Sequence, residues 1–171
     1  MKESVKPYLL YVGNLYPHKN IAGLIAAFKK INSETGAGFR LMIAGGNPIN
    51  SEGEIIFTGF TDEENLDELY RKAQLLIFPS FEEGFGFPPL EAMKRGVAVV
   101  CSNTSCLPEI LGDAAIYFNP YDINDIAGKI KKVLFDEDLK KELVKRGLER
   151  VKKYSWSKTA EETLSVYENI L

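Results

Sequence analysis

The sequence predicts an α/β domain: a six-stranded parallel sheet, doubly wound by helices, with a helical C-terminal tail. Three observations carry this. Short apolar runs rich in Val, Ile, Leu and Tyr alternate with stretches of helical periodicity. The runs lack the polar alternation of a half-exposed strand, which marks strands buried on both faces. After Ile123 the helical pattern continues to the end of the chain.

Taken in order, Tyr8-Leu9-Leu10-Tyr11-Val12 reads as a first buried strand. Apolar residues then recur at Ile21, Leu24, Ile25 and Phe28, one face of a helix, with Asn20 as its N-cap. Phe39 to Ala44 is a second strand, closed by Gly45-Gly46, and polar Asn47 to Gly53 is a loop. Glu54 to Thr58 is a third strand. Thr61-Asp62-Glu63-Glu64 reads as a capping box with Thr61 as N-cap, opening a helix with Leu66, Leu69, Tyr70 and Ala73 inward.

Leu75 to Phe78 and Val97 to Val100 are the fourth and fifth strands. A short helix covers Leu107 to Leu111, and Ala115 to Phe118 is the sixth strand. Three helices follow. Ile123, Ile126, Ala127 and Ile130 form one stripe; Leu139, Leu143 and Val151 a second, weakened at Gly147; Ala160, Leu164, Tyr167 and Leu171 a third. Right-handed crossovers then give a Rossmann-like sheet, whose ligands bind beyond the carboxyl ends of the strands.

The 171 residues suit a single domain over 1–171. A net charge of −3 argues against a dedicated nucleic-acid binder. No apolar run reaches a membrane span, and Met1 to Pro7 is not a signal peptide. Cys101 and Cys106 are too few for a disulfide scaffold and read as reduced thiols of a cytosolic protein. Asn103-Thr104-Ser105 fits a glycosylation acceptor, which has meaning only in a secreted chain. Eleven Lys or Arg against five Asp or Glu between Lys129 and Lys158 read as solvated helix faces, the alternative being an anionic membrane surface.

The densest chemistry lies in Ser80 to Met93. Glu83 and Glu91 stand eight positions apart, separated by Gly84-Phe85-Gly86-Phe87 and then Pro88-Pro89. The glycines permit close approach of backbone to a ligand, and the prolines suit the first turn of a helix. Amides at such a helix end favour a phosphate or diphosphate; a tight turn without ligand fits the glycines equally well. Glu91 falls in the first helical turn and can accept both hydroxyls of a ribose. Glu83 faces the group beyond the phosphates, or is a solvated charge beside Glu82. Lys19, after the first strand, can reach a diphosphate as a point charge and assist its departure. His18, the one histidine, makes a poor metal site. Asp136-Glu137-Asp138 reads as a helix start rather than a metal-binding motif.

These residues resemble the C-terminal, donor-binding half of a family 4 (group 1) glycosyltransferase of the GT-B fold. The similarity runs through Tyr11 to Asn20, Ile43-Ala44-Gly45-Gly46 and Phe57-Thr58-Gly59-Phe60. It centres on Pro79-Ser80 and the Glu83-x7-Glu91 motif. It continues through Gly96 to Val100, Leu107-Pro108-Glu109, Gly112 to Ala115 and Tyr154-Ser155-Trp156-Ser157.

The resemblance implies retaining, metal-independent transfer of a hexose from a nucleotide-diphosphate sugar such as a GDP- or UDP-sugar, without a cofactor. It assigns Lys19 to the diphosphate and its departure, Glu83 to the donor sugar and Glu91 to the ribose. Gly84, Phe85, Gly86, Phe87 and Leu90 meet the sugar or diphosphate, and the backbone near Phe60 meets the base. Asn14 stands where the family usually has an arginine. Gly13-Asn14-x-x-Pro17-x-Lys19-Asn20 is the form found with mannose donors. The acceptor-binding N-terminal domain is not in this chain, so the domain alone is expected to be inactive. The expected setting is cytoplasmic, with peripheral contact at the inner face of the membrane for the full enzyme. A stand-alone nucleotide-sugar module, or half of a nucleotide-sugar epimerase, is the alternative.

Overall fold

A computed structural model describes residues 6–46 and 51–170. The reading of the N-terminal residues 1–5, most of the 47–53 loop and Leu171 lie outside the described residues. The strands are β1 (Tyr8–Val12), β2 (Arg40–Ala44), β3 (Ile55–Gly59), β4 (Leu75–Phe78), β5 (Val99–Ser102) and β6 (Ala115–Phe118). The helices are α1 (Ile21–Thr35), α2 (Glu63–Lys72), α3 (Phe87–Lys94), α4 (Leu107–Leu111), α5 (Ile123–Leu134), α6 (Glu137–Val151) and α7 (Trp156–Glu168).

All six strands pair in parallel, in the order β3-β2-β1-β4-β5-β6. The expected doubly wound sheet is therefore present. Its centre is fully apolar: every residue of β1 and β4 is buried. Parallel strands sandwiched between helix layers need this composition, because neither face meets water. Helices α1 and α5 pack together, as do α3 and α6. The chain winds outward from β1 to β3, then returns to build β4 to β6 on the other side. Loops leaving β1 and β4 thus diverge and open a crevice at the sheet's carboxyl edge.

Several boundaries differ from the sequence reading for identifiable reasons. Asp62, not Thr61, caps α2: its carboxylate accepts from the Asn65 amide at 2.8 Å. The Thr61 hydroxyl is engaged instead with the Gly59 carbonyl and Thr58 at the end of β3. Strand β5 begins at Val99 rather than Val97, because the Val97 amide bonds to the Ala92 carbonyl and closes α3. Ile123, at the start of α5, is exposed, and the buried stripe begins at Ile126.

Gly147 does not interrupt α6. A Cβ there would meet Met93 Cγ at 2.9 Å, so the glycine permits α6 to approach α3 closely. Helix α7 buries none of its residues; Leu164 and Tyr167 of its expected inward face are exposed. Asp136 caps α6 through the Leu139 amide, as a helix start requires. The basic stretch lies on exposed faces, with surface pairs such as Arg146–Glu142 and Lys152–Glu149. Cys101 is buried and Cys106 partly so; both are free thiols.

Candidate functional site

The loops after β1 and β4 meet at the switch in strand order. A single turn of 3₁₀ helix, Pro17–Lys19, follows β1, and Asn20 ends it in the left-handed conformation (φ 54°). Asn20 is buried and works in two directions. Its Oδ1 accepts from the Gly23 amide at 3.2 Å and caps α1. Its Nδ2 donates to the carbonyls of Pro120 at 2.9 Å and Pro79 at 3.3 Å. The Phe81 amide donates to the His18 carbonyl at 2.8 Å. Peptide groups therefore tie the Lys19 turn to the strand that leads into Glu83.

Lys19 Nζ lies 2.7 Å from Glu83 Oε1 and 5.8 Å from the Phe78 ring centroid. The two charged side chains keep only 13% and 9% of their surface exposed. Their peptide backbone is held too. The Ser105 hydroxyl donates to the Glu83 carbonyl at 2.7 Å and accepts from the Glu83 amide at 3.2 Å. Cys106 Sγ lies 3.4 Å from the same carbonyl. Ser105 takes a positive φ of 59°, a strained backbone that brings its hydroxyl over this peptide.

Beyond Glu83 the chain runs through Gly84, Phe85 and Gly86 into α3. Gly86 is the N-cap at φ 92°, and a Cβ there would meet Leu107 Cδ2 at 2.8 Å. Only glycine fits. The amides of Gly84, Phe85, Gly86 and Phe87 find no protein acceptor among the described residues. They border a cleft of about 390 Å³. Val12, Asn14, Lys19, Glu83 and Phe78 form its other walls. One cleft thus holds an ammonium, a carboxylate and donor amides at the positive end of a helix, a combination suited to an anion joined to a hydroxyl-rich group.

The other expected residues stand further away. Glu91 is the fifth residue of α3, past its first turn, and does not wall this cleft. Its Oε2 accepts from the Tyr70 hydroxyl at 2.9 Å. Burial first, then the Glu91 charge, pushes the Tyr70 pKa up, so the phenol stays a donor. Leu90 is buried, leaving its backbone and not its side chain for contact. Phe60 is exposed and borders a separate groove of about 550 Å³ between α2 and the sheet, lined also by Tyr8, Arg40 and Met42. The sequence reading missed Ser105, Cys106 and the double role of Asn20. The positive φ of Ser105, a residue type that rarely adopts it, had no signature in the pattern of apolar residues.

Among the described residues no group of three or more His, Cys, Asp or Glu is placed to hold a metal ion. No helix there is long and apolar enough to cross a membrane.

The chain is similar in sequence and fold to known proteins. The family model of glycosyl transferases group 1 matches residues 2–150. The chain is 36% identical over 173 residues to O-antigen chain mannosyltransferase B of Escherichia coli, covering 94% of this chain and 45% of that protein. It is 34% identical to the serotype-specific mannosyltransferase WbdA of Escherichia coli, covering 96% of this chain and 22% of the relative. The chain thus spans less than half the length of these curated relatives. Among solved structures, a sucrose-phosphate synthase from Thermosynechococcus elongatus superposes with a TM-score of 0.83 at 27% identity. That match covers 96% of this chain and 45% of the other. Motif order, sheet topology and these matches agree that the chain belongs to the glycosyl transferases group 1 family, as a domain with one half of the GT-B architecture.

Proposed function

We propose that this domain binds the nucleotide-diphosphate sugar donor of a retaining, metal-independent glycosyltransferase. The observation that carries the reading is the cleft itself: Gly84 to Phe87, whose amides have no protein acceptor among the described residues, line the same cleft as Lys19 and Glu83. The amides and Lys19 take the diphosphate. Lys19 neutralises charge on it as the bond to the sugar breaks. The diphosphate replaces Glu83 as the partner of Lys19, which frees the Glu83 carboxylate for hydroxyls of the sugar. Glu91 holds the ribose, Leu90 contributes backbone, and the chain near Phe60 meets the base.

A GDP- or UDP-linked hexose fits this plan, and the mannosyltransferase relatives favour mannose. The acceptor is held by an N-terminal domain, which the greater length of the relatives supports. The domain alone then binds donor without transferring sugar. The work is done in the cytoplasm, the full enzyme touching the inner face of the membrane.

Calorimetry with uridine, guanosine and adenosine diphosphates and their sugars tests this. Saturable binding of one of them, weakened by Lys19→Ala and Glu91→Ala, is the expected result. No heat from any of them at millimolar ligand overturns the donor-site reading.

A further inference from the structure

We propose that Tyr70 is a positioning residue that fixes the Glu91 carboxylate for the ribose hydroxyls of the donor. This deepens the donor-site reading and rests on it. Tyr70 lies on α2 and is fully buried. Its hydroxyl has one proton and two neighbours: Glu91 Oε2 at 2.9 Å and the Pro88 carbonyl at 3.5 Å. The shorter, charged acceptor takes it.

The ring is gripped as well. The Arg95 guanidinium lies 4.9 Å over the Tyr70 ring and is itself anchored to Asp67 Oδ1 at 2.7 Å. Arg95 also donates to the Glu91 carbonyl at 3.1 Å. Glu91 is thus held at its carboxylate from α2 and at its carbonyl from one turn further along its own helix.

A comparison within the molecule separates this contact from ordinary satisfaction of a buried phenol. Tyr8 donates to the Leu69 carbonyl, Tyr11 to the Asn14 carbonyl and Tyr117 to the Gly112 carbonyl. Each of these uses a main-chain acceptor. Tyr70 instead spends its proton on a carboxylate, whose own partner it becomes. A carboxylate offers about four acceptor positions, of which the phenol occupies one. The others remain for a vicinal diol, and the long glutamate side chain no longer has to be ordered by the ligand.

The test is titration calorimetry of guanosine and uridine diphosphates and their 2′-deoxy counterparts against four proteins: wild type, Tyr70→Phe, Glu91→Ala and the double variant. Phenylalanine keeps the ring, the core volume and the Arg95 contact. Tyr70→Phe is expected to weaken binding of the ribonucleotide about tenfold, the worth of a hydrogen bond to a charged group. It should weaken the 2′-deoxy form less and add nothing in the Glu91→Ala background. Unchanged affinity in Tyr70→Phe overturns the proposal and leaves the donor site standing. So does an equal loss for both sugars, or the same loss without Glu91, since a loosened core would give either. No binding by wild type overturns the donor-site reading and this proposal together. Should Tyr70→Phe fail to fold, Arg95→Gln loosens the ring from outside the core and is read in the same titrations.

Discussion

The ammonium of Lys19 and the carboxylate of Glu83, 64 residues apart in sequence, form a 2.7 Å ion pair between the loops that leave β1 and β4. The pair is nearly shielded from water, so each charge depends on the other. Removing one partner strands the second in a poorly solvated site, whereas removing both does not.

Lys19→Met is accordingly expected to cost about 2 kcal/mol of stability, and Lys19→Met with Glu83→Gln less than the single change. Urea denaturation of the single and double variants checks this. A double variant less stable than either single would show that the pair adds net stability. Lys19→Met is expected to lose diphosphate binding, whereas Glu83→Gln, which frees Lys19 from its carboxylate partner, is expected to keep it and to weaken only the sugar-bearing donor.

Trp156, the one tryptophan, stacks on Phe87 with ring centroids 6.2 Å apart. Phe87 in turn meets Phe85, which packs edge-on against Tyr154. A ligand drawn onto the Gly84–Phe87 amides must disturb this series. Titration with nucleoside diphosphate is expected to shift Trp156 emission saturably, and Phe87→Ala to abolish the shift. An unchanged spectrum, with binding seen by calorimetry, would show that the loop does not move.

Asn20 offers a contrast between two variants. Asn20→Ala loses three hydrogen bonds and a residue suited to positive φ, for an expected cost of about 3 kcal/mol. Aspartate is a favoured N-cap by propensity. Here it would turn an oxygen towards the carbonyls of Pro79 and Pro120, so Asn20→Asp is expected to be at least as damaging as alanine. Thermal denaturation of both decides it.

Alkaline pH should unfold the domain through its tyrosines. Burial, then the Glu68 charge, pushes Tyr8 up to about 12. Burial raises Tyr11, Tyr70 and Tyr117 as well. Unfolded tyrosines ionise at roughly pH 10. The folded state then binds more protons, so stability is full below about pH 10 and falls as pH rises through the folded values. The urea midpoint should therefore drop above pH 10, and Tyr8→Phe should flatten that drop.

Much of the fold was legible because buried parallel strands are written as unbroken apolar runs. Five residues at β1 and four at β4 carry no polar atom except two phenols, and nothing but a sandwiched strand suits them. The glycine loop and its neighbouring charges were legible for the same local reason. Local pattern fails where a group has two candidate users. Thr61 and Asp62 both suit a cap, and only the end of β3 decides between them. Glu91 reads as a free carboxylate until α2 places Tyr70 against it. The apolar stripe of α7 is real in the sequence, yet no described residue covers it.

One main-chain hydrogen bond, from the Phe81 amide to the His18 carbonyl, and one side chain, Asn20 donating to the Pro79 carbonyl, tie together the two loops that display Lys19 and Glu83. Such a frame is indifferent to what most of its positions carry. Asn14, Tyr16 and His18 can be randomised as a library while the stitching peptides stay put, which makes this domain a scaffold for exchanging ligand preference without redesigning its backbone.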